Sequence, residues 1–173
     1  PVLDRMSQAG VTPTLDTLRD QSAVGPLESQ LPPWTPSAWP SLYTGVNPGK
    51  HGVYDFFEFD GYDWSVVNRS HVNEYAMWEL LSMHGYSSVV VNVPVTHPPR
   101  SFDGAIVPGY IAPEEPECYP EGTWTELNRE LGAYSLYGNT IDEQPTEAEL
   151  IDDLVKLTQM RGAAFRYLAA KHD

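Results

Sequence analysis

The chain has 173 residues, 41% hydrophobic and 12% aromatic, which suits one globular domain and excludes a disordered segment. Twenty-four acidic residues face ten basic ones, a formal net charge of −14 that repels phosphate backbones and anionic lipid, so duplex nucleic acid is not an expected partner. No apolar run reaches the roughly eighteen residues of a membrane span, and no leader opens the given sequence, so a cytoplasmic location is the expectation. The acids are scattered rather than clustered, the pattern of a halophile-like surface kept hydrated in high salt more than of a cation-binding patch.

In chain order, residues 13 to 22 predict a short helix with Leu15 and Leu18 on one side and Asp16 and Arg19 exposed. "AVGPLES" follows as an extended segment broken by Gly25 and Pro26. From residue 75 the spacing of Met77, Leu80, Leu81 and His84 predicts a helix stopped at Gly85. "SSVVVNV" then reads as a parallel strand buried on both faces, and "AIV" as a short strand after a loop. "TWTELNREL" is a helix opened by Thr123 with a capping-box acid at Glu126, and residues 146 to 172 form a long amphipathic helix. Thr146 and Glu149 cap it, and Leu150, Leu154, Leu157 and Met160 make its apolar stripe. The alternation points to a layered α/β domain, taken as one domain over residues 1 to 173. Such a sheet normally opens on a central strand and continues after a long helix. The chain therefore reads as an interior piece of a catalytic domain, incomplete at both ends, and no activity is expected of the piece alone.

The chemistry concentrates in "WTPSAWPSLYTGVNPGKHGVYDF", residues 34 to 56. Thr35 is a favoured N-cap and Pro36 suits the first helical position, which leaves the N–H groups of Ser37 and Ala38 free beside the Thr35 hydroxyl. With the positive end of the helix dipole, these form an anion site centred on a hydroxyl. Pro40 removes one helical hydrogen bond and predicts a bent or short helix. Ser37 and Ser41 are alternative hydroxyls, but positions inside the helix point away from its N-terminus. By its residues alone, Thr35 reads as a structural cap, which an N-cap threonine is far more often than a nucleophile.

Thr35, Thr44 and Gly45 nine and ten residues on, then Pro48, His51 and Gly52, give an order and spacing that resembles the type I phosphodiesterase/nucleotide pyrophosphatase family of the alkaline phosphatase superfamily. Residues 1 to 112 carry the likeness. It implies an alkaline-phosphatase-like three-layer sandwich with a mostly parallel sheet. It also implies a phosphate-ester substrate, a covalent phospho-threonine at Thr35, and two divalent metal ions, zinc being typical, that Thr35 would touch. The family's metal-binding aspartate, its Asp-His-Gly turn and its final histidine have no counterparts here, so the metal ligands are expected outside this chain. Many members place a phosphate-contacting asparagine just past "HG"; Phe56 stands there, which leaves Asn47 and Asp55 as candidate substrate contacts.

A non-catalytic binding domain of the same fold is the second reading, and a sulfatase-like or phosphomutase-like enzyme the third. "TPSAW" lacks the arginine of a sulfatase motif. His51 reads as packing behind the nucleophile helix, and His71, His84 and His97 lack ligand spacing. The single cysteine, Cys118, reads as inert, and Glu114, Glu115 and Glu117 as a solvated acidic loop.

Overall fold

The computed structural model describes residues 2–138 and 145–172. Helices α1 (Val2–Gln8) and α2 (Pro13–Gln21) come first and are linked by an Arg19–Asp4 ion pair at 3.3 Å. Neither buries a residue, and Leu15 and Leu18, expected together on one side, lie exposed. The expected extended segment after α2 joins no strand.

Helix α3 (Thr35–Thr44) continues through Pro40 to ten residues, so the proline does not cut it short. Gly45, left-handed at φ 72°, ends it, and helix α4 (Pro48–His51) follows, closed by Gly52 at φ 91°. Strands β1 (Phe57–Asp60) and β2 (Asp63–Val66) form an antiparallel hairpin that the sequence reading missed. Its two-residue turn has Gly61 at φ 64° in the first central position, which matches the twist of the flanking strands. After a 3₁₀ turn (Arg69–His71) comes α5 (Met77–Met83), with Gly85 at φ 80° just beyond it as expected.

The buried residues of α5 are Trp78 and Glu79, while Met77, Leu80 and Leu81, whose spacing predicts the helix, are exposed. Trp78 packs on Tyr43 of α3 with ring centroids 5.0 Å apart, and Glu79 turns inward to an arginine. Those two anchors fix which side of so short a helix faces in.

Strands β3 (Ser88–Val93) and β4 (Gly104–Pro108) pair in parallel, with Val90 opposite Ile106 and Val91 opposite Val107. Alternation sends Val90 and Ile106 to one face, into a cluster with Tyr43, Val53, Val72 and Trp78. Ala105 and Val107 go to the other face, against Leu127 of α6 (Thr123–Leu131) and Ala164 and Leu168 of α7 (Glu147–Lys171). Burying a leucine such as Leu127 or Leu168 stabilises by about 2 kcal/mol. β4 is buried throughout, while β3 is mostly half-buried rather than buried on both faces. The architecture is mixed α/β with helices against both faces of a parallel pair. Among the described residues that parallel sheet has two strands, so it is narrower than the mostly parallel sheet of a full sandwich.

Two caps differ in outcome. Thr146 and Glu149 form the predicted capping box, the Glu149 carboxylate accepting from the Thr146 N–H at 2.8 Å. The predicted box at Thr123 does not form. Gly122 at φ 88° is the N-cap, Thr123 Oγ1 donates back to the Pro120 carbonyl at 2.7 Å, and Glu126 reaches across to α7 instead. Along α7, Leu157 is buried and Met160 half-buried as predicted, whereas Leu150 and Leu154 are exposed because the helix meets the sheet only farther along. Among the described residues no helix is long and apolar enough to cross a membrane.

Candidate functional site

The helix that carries Thr35 starts one residue earlier than predicted. Trp34, at φ −88° and ψ 145°, is the N-cap, and its carbonyl accepts from both Ser37 N–H (3.1 Å) and Ala38 N–H (2.8 Å). Those two groups, expected free for an anion, are therefore engaged within the helix. Pro36 has no N–H, so Thr35 contributes the free backbone donor of the first turn. Thr35 is exposed, and its hydroxyl makes no hydrogen bond among the described residues.

The other aliphatic hydroxyls of the segment are spoken for or enclosed. Ser37 is fully buried with its Oγ unpartnered, Ser41 Oγ donates to the Ser37 carbonyl at 3.0 Å, and Thr44 Oγ1 donates to the Pro40 carbonyl at 2.5 Å. Back-bonding of this kind is the usual fate of a helical Ser or Thr. Tyr43 OH donates to the Val95 carbonyl at 3.0 Å, and burial pushes the phenol well above its ordinary range.

Asn47 and Asp55, the candidate substrate contacts, make local hydrogen bonds. Asn47 is exposed and serves as the N-cap of α4 through its carbonyl, which accepts from Lys50 and His51 N–H groups. Asp55 is exposed and accepts from the Phe56 N–H at 2.6 Å. No hydrogen bond links either side chain to Thr35. Phe56 is half-buried and meets Tyr110 edge to face at 6.4 Å, and Tyr110 meets Tyr137 in the same way.

The histidines are structural in their contacts. His51 is fully buried; its Nδ1 accepts from the Val53 N–H at 3.1 Å and its Nε2 lies 2.9 Å from Ser41 Oγ. An amide N–H can only donate, so Nδ1 is the acceptor and the ring proton sits on Nε2. Burial lowers the His51 pKa, opposed by the nearby Ser37 carbonyl. His71 Nδ1 accepts from the Asn68 N–H in a capping box, and the exposed His84 shares a 2.9 Å hydrogen bond with the Leu80 carbonyl. Burial lowers His97 also, against the pull of Glu117.

Among the described residues no three His, Cys, Asp or Glu side chains stand together as a metal-binding group, and each nitrogen of the buried His51 is engaged by protein. The described residues thus do not fit a two-metal centre. Glu114, Glu115 and Glu117 are exposed, in keeping with a solvated loop. Desolvation pushes the Cys118 thiol up to about 12, so it is protonated and unreactive at neutral pH.

Sequence reasoning missed the buried network beside α3. Arg69 donates through Nη2 to both carboxylate oxygens of Glu79 (2.7 and 2.9 Å) and to the Glu74 carbonyl, and through Nη1 to the Val72 carbonyl. Its backbone N–H reaches the His97 carbonyl at 2.7 Å. No local pattern announces such a pair. Its partners lie ten residues apart on different elements, and only folding brings them together. Also unforeseen are the left-handed residues at the carboxyl ends of the parallel strands, Asn92 (φ 60°), Val95 (φ 59°) and Ile111 (φ 80°). Tyr134 OH donates to Asn92 Oδ1 at 2.5 Å and fixes the first of them.

A parallel strand pair with helices packed on both faces is the frame of a mixed α/β domain. The comparison with protein families narrows this: the chain belongs to the type I phosphodiesterase / nucleotide pyrophosphatase family, whose model matches residues 2–160. That is a family of phosphodiesterase-type hydrolases, and a phosphate-ester substrate fits it. No curated protein and no solved structure matches the chain.

Proposed function

We propose that this chain is part of the catalytic domain of a phosphoric ester hydrolase in which Thr35 is the nucleophile. The Thr35 oxygen attacks phosphorus, a new O–P bond forms, and the bond to the leaving alcohol breaks with the electron pair and a proton passing to that alcohol. Water then cleaves the phospho-threonine, so the enzyme is returned unchanged.

One observation carries the reading. Of the four aliphatic hydroxyls between residues 34 and 56, Thr35 is the one that is both exposed and free of hydrogen bonds among the described residues. It stands in the first turn of a ten-residue helix, whose dipole favours negative charge there. Divalent ions, zinc among them, would need ligands other than a cluster of described residues, so no step is routed through them. Asn47 and Asp55, both exposed, are the candidate phosphate contacts.

The test, made on protein that carries the whole catalytic domain, is hydrolysis of bis(p-nitrophenyl) phosphate with added zinc or manganese, followed by intact mass after an acid quench. Thr35→Ala is expected to abolish both turnover and the covalent adduct while leaving the melting temperature unchanged, because the side chain is exposed and unbonded. Turnover near the wild-type rate in that variant would refute Thr35 as the nucleophile.

A further inference from the structure

We propose that His51 is a positioning residue for Thr35, acting through Ser41 and the Ser37 carbonyl; this rests on the reading of Thr35 as nucleophile. The need arises from the prolines of α3. Pro36 contributes no N–H, and Pro40 cannot donate to the Pro36 carbonyl, so the N-terminal half of the helix lacks a rung of its ladder. The first turn closes on one acceptor, the Trp34 carbonyl, which takes both the Ser37 and Ala38 N–H groups.

A second support reaches this region from α4. The His51 Nε2–H donates to Ser41 Oγ at 2.9 Å, and Ser41 passes its own proton to the Ser37 carbonyl at 3.0 Å. Ser37 lies two residues beyond Thr35. The direction of this relay is fixed, because Nδ1 is held as an acceptor by the Val53 N–H.

The imidazole is itself anchored. The His51 carbonyl accepts from the Asn73 N–H at 3.0 Å, and Gly52 at φ 91° lets the chain lie against Asn73. A Cβ at Gly52 would come within 2.6 Å of Asn73 Nδ2. His51 is fully enclosed, so water cannot replace the relay without opening the core. The clamp between α4 and Asn73 is thereby carried into the half of α3 that its prolines weaken. A hydroxyl nucleophile depends on that stiffness, since a displacement of about 1 Å costs on the order of a hundredfold in rate.

Protein that carries the whole catalytic domain tests this with Ser41→Ala, His51→Ala and His51→Gln, which keeps a side-chain N–H donor, alongside Thr35→Ala. Two readouts are taken: amide hydrogen exchange at Ala38 and Trp39, and turnover of bis(p-nitrophenyl) phosphate with zinc or manganese. Expected in Ser41→Ala and His51→Ala is exchange at least about tenfold faster at those two amides, with α7 unchanged. Turnover number should fall about tenfold or more at a KM within about twofold of wild type, and His51→Gln should recover most of both. A general loss of stability would speed exchange in α7 as well. Wild-type exchange at Ala38 and Trp39 in Ser41→Ala overturns the proposal, and so does faster exchange with an unchanged turnover number. Should His51→Ala fail to fold, Ser41→Ala, a half-buried site, still decides. Survival of activity in Thr35→Ala sinks the nucleophile reading separately, while the exchange data report on the brace whether or not the protein turns over.

Discussion

Arg69 and Glu79 meet at 2.7 Å with 2% and 5% of their side chains exposed, a closed ion pair inside the cluster that seats α3 on the parallel strands. Every contact of the pair is also a structural tie. Arg69 binds the carbonyls of Val72 and Glu74, and Glu79 accepts from the Ala76 N–H at 2.7 Å. Removing one partner leaves an uncompensated buried charge, which costs about 3–5 kcal/mol. Glu79→Ala is therefore expected to lower the melting temperature by roughly 10 °C, at about 2–4 °C per kcal/mol for a chain of this size. The double variant Arg69→Met/Glu79→Leu should regain much of the loss. Thermal melts of wild type and the two variants check it, and equal losses in the single and double variants would show that the pair's hydrogen bonds, not the orphaned charge, set the stability.

Gly104 opens β4 at φ 132°, and a Cβ there would lie 1.9 Å from the Ser88 carbonyl oxygen. The clash is with the backbone of the partner strand, which cannot move without breaking the parallel register of Ser88 against Gly104. Gly61 in the hairpin turn has open space around it and only a positive φ to defend. Gly104→Ala should thus destabilise far more than Gly61→Ala, for which about 1 kcal/mol is expected. Urea midpoints for the two variants give the comparison; parity between them would mean that β3 can shift to make room.

What could be read in the sequence was local. The run Ser88–Val93 is β-branched and makes a strand, and Thr146 and Glu149 are three residues apart and cap α7. The hairpin was legible too: Phe57 and Phe59 alternate on one side of Asp60-Gly61, and Trp64 and Val66 on the other, yet the turn went unread. The start of α3 slipped by one residue because Thr35 is a good cap by type, while the backbone that turns from extended to helical is Trp34. At Thr123 the same reasoning failed outright, since Gly122 can take the left-handed conformation that threonine resists. The Arg69–Glu79 pair, the His51 relay and the inward side of α5 depend on contacts between elements. Those are decided by packing, which no residue type announces. The order of Thr35, Gly45, His51 and Gly52 was legible for a different reason, as a resemblance to a family whose model matches residues 2–160.

Glu126 joins α6 to the end of α7, accepting from Lys171 Nζ and Tyr167 OH at 2.6 Å each. Lys171 is the larger cause of its lowered pKa, with Tyr167 next. The pair lies near the surface, so its contribution is at most about 1 kcal/mol and is screened by salt. Lys171→Met should lower the melting temperature by a few degrees in dilute buffer, with the difference from wild type closing in molar salt. A difference that persists in high salt would point to lost packing of the lysine stem rather than lost charge.

His51 sets how the fold responds to mild acid. Burial depresses its folded pKa below the ordinary 6.5, because the neutral ring with Nδ1 accepting from Val53 is the form the core can hold. The unfolded chain takes up a proton near 6.5, where the folded protein resists it. Stability from this group is complete above that value and declines as pH falls through it, until the folded ring protonates as well. His97 is depressed in the same direction and adds to the slope. The lowered carboxylates, Glu126 and Glu149, act only near and below their ordinary 4.5, so the interval from about 6.5 to 5 isolates the histidines. Urea midpoints of wild type should fall across that interval. His97→Gln should keep most of the decline, and His51→Gln should flatten it. A wild-type slope retained in His51→Gln would mean that the buried imidazole does not govern the acid side.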